Sequence, residues 1–253
     1  MNGAFYIGAA GLHAQQRALE VTANNITNVN TNGFKRGEVR FSELVGSQAP
    51  GEAAARAAAT PMLGVSTASA ARVFEQGEIR ETGSQLDVAI SGEGFIELLG
   101  PDGEVLLWRG GPLKVNEDGY LAAGNGLVLK AMISVPEDAT GVSIDRDGEV
   151  RVVTAGSQGA ESVGRLELAR VRDVATLTSI EGGLYRPDQA AEILGTTPEE
   201  GGGTILQGSI ELSNVELTDE MVMLMMTQRA YAASAQIVQA GDQLMGIANS
   251  LKR

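Results

Sequence analysis

The C-terminal apolar pattern is the feature that most constrains how this chain can fold. Leu217, Leu224, Tyr231, Val238 and Met245 form one heptad row, and Met223, Ala230, Ile237, Leu244 and Leu251 form the row beside it. Thr218, Asp219 and Glu220 place a cap and acids where a helix start exposes its amides, and Lys252 and Arg253 suit the other end. The pattern predicts one long helix after Ser213-Asn214, with an apolar face too broad to leave in water.

The start of the chain carries a thinner stripe. Phe5, Leu12, Leu19 and Ile26 share heptad spacing, with Ala9, Gln16 and Ala23 following the first three. Flanked by Gly8 and Gly11, this stripe cannot make a compact core alone but can pack lengthwise on another helix. The helix should stop where Asn24, Asn25, Asn28, Asn30, Asn32 and Gly33 crowd together, because Asn side chains compete for backbone hydrogen bonds and Gly tolerates positive φ. The terminal helices are therefore expected to pair and then to pack against other subunits.

From Gln85 to about Gln207, short apolar runs alternate with turn signals such as Pro101-Asp102-Gly103, Glu117-Asp118-Gly119, Arg146-Asp147-Gly148 and Gly182-Gly183. Strands are expected at Leu86–Ile90, Phe95–Leu99, Val105–Trp108, Leu127–Ile133, Gly141–Ile144, Glu149–Val153 and Leu166–Arg170. Residues 46–70, with the run Ala53 to Ala59, show little periodicity and read as a loop or a connector ordered on assembly. The expected fold class is α+β: paired long N- and C-terminal helices, coiled-coil-like, with a central mainly antiparallel β domain. The divisions are 1–45 for the first helix and Asn-rich segment, 46–84 for the connector, 85–207 for the β domain and 208–253 for the last helix. The first and last together would make an inner assembly domain.

Composition narrows the function. Lys+Arg 19 against Asp+Glu 32 gives a net charge of -13, which argues against nucleic acid as a partner. The absence of cysteine excludes disulfides, thiolate metal sites and cysteine nucleophiles. A relay or multi-histidine site within one chain would have to use His13, which reads better as a polar-face helical residue. Gly92-Glu93-Gly94 begins like a phosphate loop, but no third glycine and Lys follow, and it lies between strands. Asp145-Arg146-Asp147-Gly148 has the spacing of a calcium loop, yet Gly156 stands where the closing Glu belongs. The methionines Met221, Met223, Met225 and Met226 could suit a soft metal or an adaptable groove; interhelical packing is the plainer reading. No catalytic residue, metal or cofactor is expected. No run approaches the roughly 18 apolar residues of a bilayer span, and the N-terminus shows no secretory pattern, so membrane insertion is not expected and export would need another route.

Three ordered blocks resemble the flagellar rod, hook and basal-body family. The first reads Ala23-Asn24-Asn25-Ile26-Thr27-Asn28-Val29-Asn30-Thr31-Asn32-Gly33-Phe34-Lys35-Arg36. The second is Gln76-Gly77, Thr82-Gly83, then Leu86-Asp87-Val88-Ala89-Ile90-Ser91-Gly92-Glu93-Gly94-Phe95. The third is Gly208-Ser209-Ile210-Glu211-Leu212-Ser213-Asn214-Val215, followed by Met225-Met226-Thr227-Gln228-Arg229-Ala230-Tyr231. Where relatives carry Tyr-Thr-Arg-x-Gly, this chain has Leu107-Trp108-Arg109-Gly110-Gly111. Length and the Gln-Arg-Ala-Tyr helix look most like the distal rod type, with the F-type proximal rod second.

The resemblance implies a tubular assembly in the periplasm-spanning rod of the basal body, with helices inside and the β domain outside. It further implies torque transmission, passage of exported proteins, and export by the flagellar type III apparatus. The implied partners are further copies of the chain, other rod proteins, hook protein and surrounding ring proteins. The expected assembly surface comprises Phe5, Leu12, Leu19 and Ile26 on the first helix, and Asn24, Asn25, Asn28, Gly33 and Phe34 around its end. On the last helix it comprises Leu217, Met221, Leu224, Gln228, Tyr231, Val238, Met245 and Leu251. Two alternatives compete. A glycan-acting enzyme would need a polar pocket in the β region, against which the scarcity of His, Cys and aromatics counts. A plain coiled-coil binding module would explain the helices but not the Asn-rich and Leu-Asp-Val-Ala-Ile blocks.

Overall fold

The computed structural model describes residues 2–43, 65–155, 159–180, 182–188, 191–196 and 202–251. The Ala-rich run 53–59 lies outside these residues. The chain divides into two compact units, one of Met1–Thr27, Gly37–Val73 and Glu216–Arg253, the other of Asn28–Arg36 and Phe74–Val215.

The first unit contains α1 (Asn2–Thr27), the strands β1 (Gly37–Glu43) and β2 (Val65–Arg72), and a C-terminal helix, α2 (Leu217–Leu251). β1 and β2 pair antiparallel, with a register shift between Val39 and Phe41. α1 continues past Asn24 and Asn25 because the Asn25 amide is engaged elsewhere. Its Nδ2 donates to the Gly37 carbonyl at 2.9 Å and its Oδ1 accepts from the Gly37 amide at 2.8 Å. The same buried side chain that could have unwound the helix thus fixes the start of β1 against it.

The structure corrects the expectation of long, paired, coiled-coil-like helices. Among the described residues there are two α-helices, of 26 and 35 residues, beside a large mainly antiparallel β part. The α+β class stands, but the heptad rows do not form a knobs-into-holes seam. A coiled coil needs large side chains at its a and d positions. Here α1 meets α2 through small residues: a Cβ on Gly8 would lie 2.6 Å from Val238 Cγ2, and one on Gly11 would lie 3.5 Å from Ser234 Oγ. Ala14, Thr22, Glu220 and Thr227 are buried, whereas Met226, Ile237 and Leu244 of α2 are exposed.

The second unit is built from antiparallel pairings throughout. β4 (Asp87–Ser91), β7 (Gly110–Val115), β8 (Leu121–Ala123) and β16 (Thr204–Gln207) form a four-stranded sheet in the order β16-β4-β7-β8. Six strands form a second sheet in the order β13-β14-β6-β5-β12-β15: β5 (Phe95–Leu99), β6 (Val105–Trp108), β12 (Leu168–Val171), β13 (Leu177–Ile180), β14 (Leu184–Pro187) and β15 (Ile193–Thr196). β9 (Ala139–Ile144), β10 (Glu149–Thr154) and β11 (Glu161–Arg165) make a third sheet, and β3 (Ile79–Glu81) pairs with β17 (Ser209–Glu211). Val88, Ile90, Ile96, Leu98, Leu121, Leu129, Val150 and Ile205 are buried in one core. A second cluster stacks Phe74, Phe95 and Tyr185, with ring centroids 5.2 to 5.8 Å apart.

One expected strand is absent and one strand that was not expected is present. Leu127–Ile133 is not a strand: Leu129 and Ile133 are buried, but the segment makes only isolated bridges from Val128 and Leu129, and Met132 adopts φ 46. Conversely, Gly110-Gly111-Pro112, which no expected strand covers, begins β7. Pro112 pairs with Asp87, and its side chain is exposed.

Candidate functional site

The expected assembly residues fall into different settings. Leu12, Leu19 and Ile26 of α1 are half-buried, as are Leu224 and Val238 of α2. Leu217, Met221, Gln228 and Tyr231 are exposed on α2. The side chains of Phe5, Met245 and Leu251 lie outside the described ones. Asn24 is exposed and accepts from Arg72 at 3.5 Å, Asn25 is buried against Gly37, and Asn28 accepts from the Thr31 hydroxyl at 3.2 Å. Gly33 and Phe34 are buried within the β-rich unit.

The more informative constellation is one the sequence reading did not pick out. Lys35, Arg109 and Glu211, all nearly inaccessible to solvent, meet inside the β-rich unit. Lys35 Nζ donates to Glu211 Oε1 at 2.6 Å and to the Glu75 carbonyl at 2.7 Å. Arg109 approaches Glu211 Oε2 with Nε at 3.1 Å and Nη2 at 3.0 Å. Its Nη1 donates to the carbonyls of Gly92 at 3.1 Å and Gly94 at 2.6 Å. The Gly77 amide donates to Glu211 Oε1 at 2.9 Å, so the carboxylate serves two cations and a backbone group. Burial pulls the Lys35 ammonium below the ordinary lysine range; attraction to Glu211 works against that shift, and repulsion from Arg109 adds to it.

Backbone bonds extend the cluster along both segments. The Gly33 amide donates to the Glu211 carbonyl at 2.8 Å, and the Arg36 amide donates to Asn214 Oδ1 at 2.7 Å. The Tyr185 hydroxyl donates to the Gly33 carbonyl at 3.3 Å. All three family-like blocks therefore converge on one buried site: the first supplies Lys35, the second Gly77, Gly92 and Gly94, and the third Glu211. The signal available in the sequence was a lone charge inside an apolar strand pattern, Ser209-Ile210-Glu211-Leu212, with unmatched cations in two distant blocks. Such a site ties distant segments together, one carboxylate being shared between two cations.

A β-rich unit stitched across its sequence by a buried ion cluster, in a chain whose first and last elements are helices, accords with the flagellar axial family that the sequence blocks resemble. Residues 5–35 match the family described as flagella basal body rod protein, residues 89–152 match the flagellar hook protein FlgE/F/G D1 domain, and residues 206–251 match the flagellar basal body rod FlgEFG protein C-terminal family. The chain is 34% identical to the flagellar basal-body rod protein FlgG of Borreliella burgdorferi, over 100% of both chains. It is 31% identical to the protein of the same name from Bacillus subtilis, over 98% of each. Flagellar basal-body rod protein FlgF of Caulobacter vibrioides is 34% identical over 94% of this chain and 93% of its own. The chain belongs to the flagellar basal-body rod protein family of the FlgG type and is a structural subunit of the rod. Among the described residues, no helix is long and apolar enough to cross a membrane.

Proposed function

We propose that the chain polymerises through the outward face of α2, building a helical tube that transmits torque and encloses the export path. The observation that carries this reading is the contrast between the units. The β-rich unit buries most of its large apolar side chains and leaves scattered ones such as Val115, Met132 and Leu194 exposed, whereas α2 lines up Met226, Ile237 and Leu244 along one face at 62%, 58% and 65% exposure. Full burial of one such side chain contributes about 1.5–3 kcal/mol, so a neighbour covering the three would gain several kcal/mol. Repeating one heterologous contact gives an open helical filament. In the same reading the exposed Leu217, Met221, Gln228 and Tyr231, on the opposite side of α2, meet a second neighbour, and the half-buried Leu12, Leu19 and Ile26 of α1 become covered in the polymer.

In this reading the partners are further copies, other rod proteins and hook protein, with ring proteins around the rod and the type III apparatus delivering the unfolded chain. The role is mechanical and needs no catalytic group. The experiment is the double substitution Ile237→Asp and Leu244→Asp in the native host. Loss of rods and motility, with the purified variant retaining the buried environment of Trp108, supports the reading; rods of normal number and length sink it.

A further inference from the structure

Four thioethers, those of Met221, Met223, Met225 and Met226, are crowded into the first turns of α2 with exposures between 49% and 62%. Met221 and Met225 lie one turn apart on the helix surface, as do Val222 and Met226. Leucine would pack as well and holds a helix at least as firmly, so what methionine adds at these positions is a flexible, oxidisable sulfur.

We propose that this quartet is an oxidation site through which peroxide-class oxidants withdraw the free subunit from assembly; the proposal rests on the reading of α2 as the assembly surface. A sulfur lone pair attacks one oxygen of the hydroperoxide, an S–O bond forms and the O–O bond breaks. The sulfur is oxidised to a sulfoxide, and the peroxide is reduced to water once its proton transfers to the departing oxygen. Met226 shares the face of Ile237 and Leu244, and the other three sulfurs flank it around the helix; a sulfoxide there carries a strong dipole on surface that must become dry, and burying it without a donor opposes docking. Exposure of the sulfurs in the unassembled chain and their cover by a neighbour after docking make the modification selective for subunits not yet incorporated. Methionine sulfoxide reduction restores the thioether and the docking face.

The test has two arms. Purified full-length chain and purified basal bodies are treated with hydrogen peroxide and mapped by peptide mass. One added oxygen at each of the four residues in the free chain is expected, with strong protection in basal bodies. In the native host all four residues are replaced by Gln, which is polar and helix-compatible, or by Leu. Rod number should fall about ten-fold or more with Gln and stay within about two-fold of wild type with Leu, circular dichroism of both purified variants matching wild type. Normal rods from the Gln variant, an unreactive quartet in the free chain, or equal failure of the Leu variant would each overturn the proposal. Defective Ile237→Asp/Leu244→Asp rods beside normal Gln-variant rods would remove the oxidation site alone. Normal rods from the Asp variant would remove the assembly reading beneath it.

Discussion

Replacing Glu211 with Ala removes the carboxylate that Lys35 and Arg109 share in the cluster described above. Lys35 keeps the Glu75 carbonyl and Arg109 keeps Gly92 and Gly94, but the two buried cations lose the counter-charge they share. Breaking a buried pair by deleting one partner costs about 3–5 kcal/mol. The orphaned Gly77 amide adds about 1 kcal/mol, for a total of about 4–6 kcal/mol. That consumes much of the stability of an ordinary domain, about 5–15 kcal/mol. Glu211→Gln keeps the shape and one acceptor and should cost less. Lys35→Met leaves a one-to-one Glu211–Arg109 pair and should cost least, because an apolar replacement of similar volume orphans no charge. Urea unfolding read by the single tryptophan, Trp108, reports on this unit, since Trp108 is buried and pairs with Ile96 and Leu184. With a denaturant slope of about 2–3 kcal/mol per molar, Glu211→Ala should lower the midpoint by about 2 M. A shift below about 0.3 M, or a Lys35→Met variant less stable than Glu211→Ala, would refute the assignment of the cluster as the tie between segments.

Other perturbations separate buried from exposed chemistry. Arg186 grips Glu104 with two bonds, at 2.8 and 2.9 Å, but at an exposed, solvent-screened site, so Arg186→Ala should leave the urea midpoint nearly unchanged in the same unfolding assay. Gly148 sits at φ +84 with the Leu166 carbonyl where a Cβ would project, so Gly148→Ala should cost about 1–3 kcal/mol or more, measured by thermal unfolding. The Lys35 pKa is lowered on folding, so below the folded value the penalty of burying the cation is fully present. Between that value and the ordinary 10.5 the unfolded chain binds more protons, and this group's contribution to stability rises with pH. Stability of wild type minus that of Lys35→Met should therefore grow as pH rises toward 10.5; a decline over that rise contradicts the shift.

Much of the β-rich unit was legible because short apolar runs are set off by turn signals: Phe95–Leu99 and Val105–Trp108 form on either side of Pro101-Asp102-Gly103, both largely buried. β7 was hidden because Gly110-Gly111-Pro112 is locally a strand breaker, and only an exposed proline next to the paired Asp87 reconciles it with a ladder. Leu127–Ile133 misled because burial of Leu129 and Ile133 needs only single bridges and a turn. The heptads of α2 fixed a helix but not which face it buries. Its contact with α1 is made by residues as small as Gly8 and Gly11, which leave no apolar mark, while the conspicuous residues lie outward. The Lys35–Arg109–Glu211 cluster escaped because each charge alone resembles a solvent-facing residue, and pairs separated by 176 and 102 positions become visible only when the strands are placed.

The absence of cysteine makes the most direct test of the assembly surface simple. An Ile237→Cys variant, exposed at this position in the free chain, is treated with a maleimide both as purified subunit and within basal bodies from the native host, and label on this chain is quantified by mass. Rapid labelling of the free subunit with protection in the basal body is the expected result. Equal labelling in the two states would contradict burial of the α2 face in the rod.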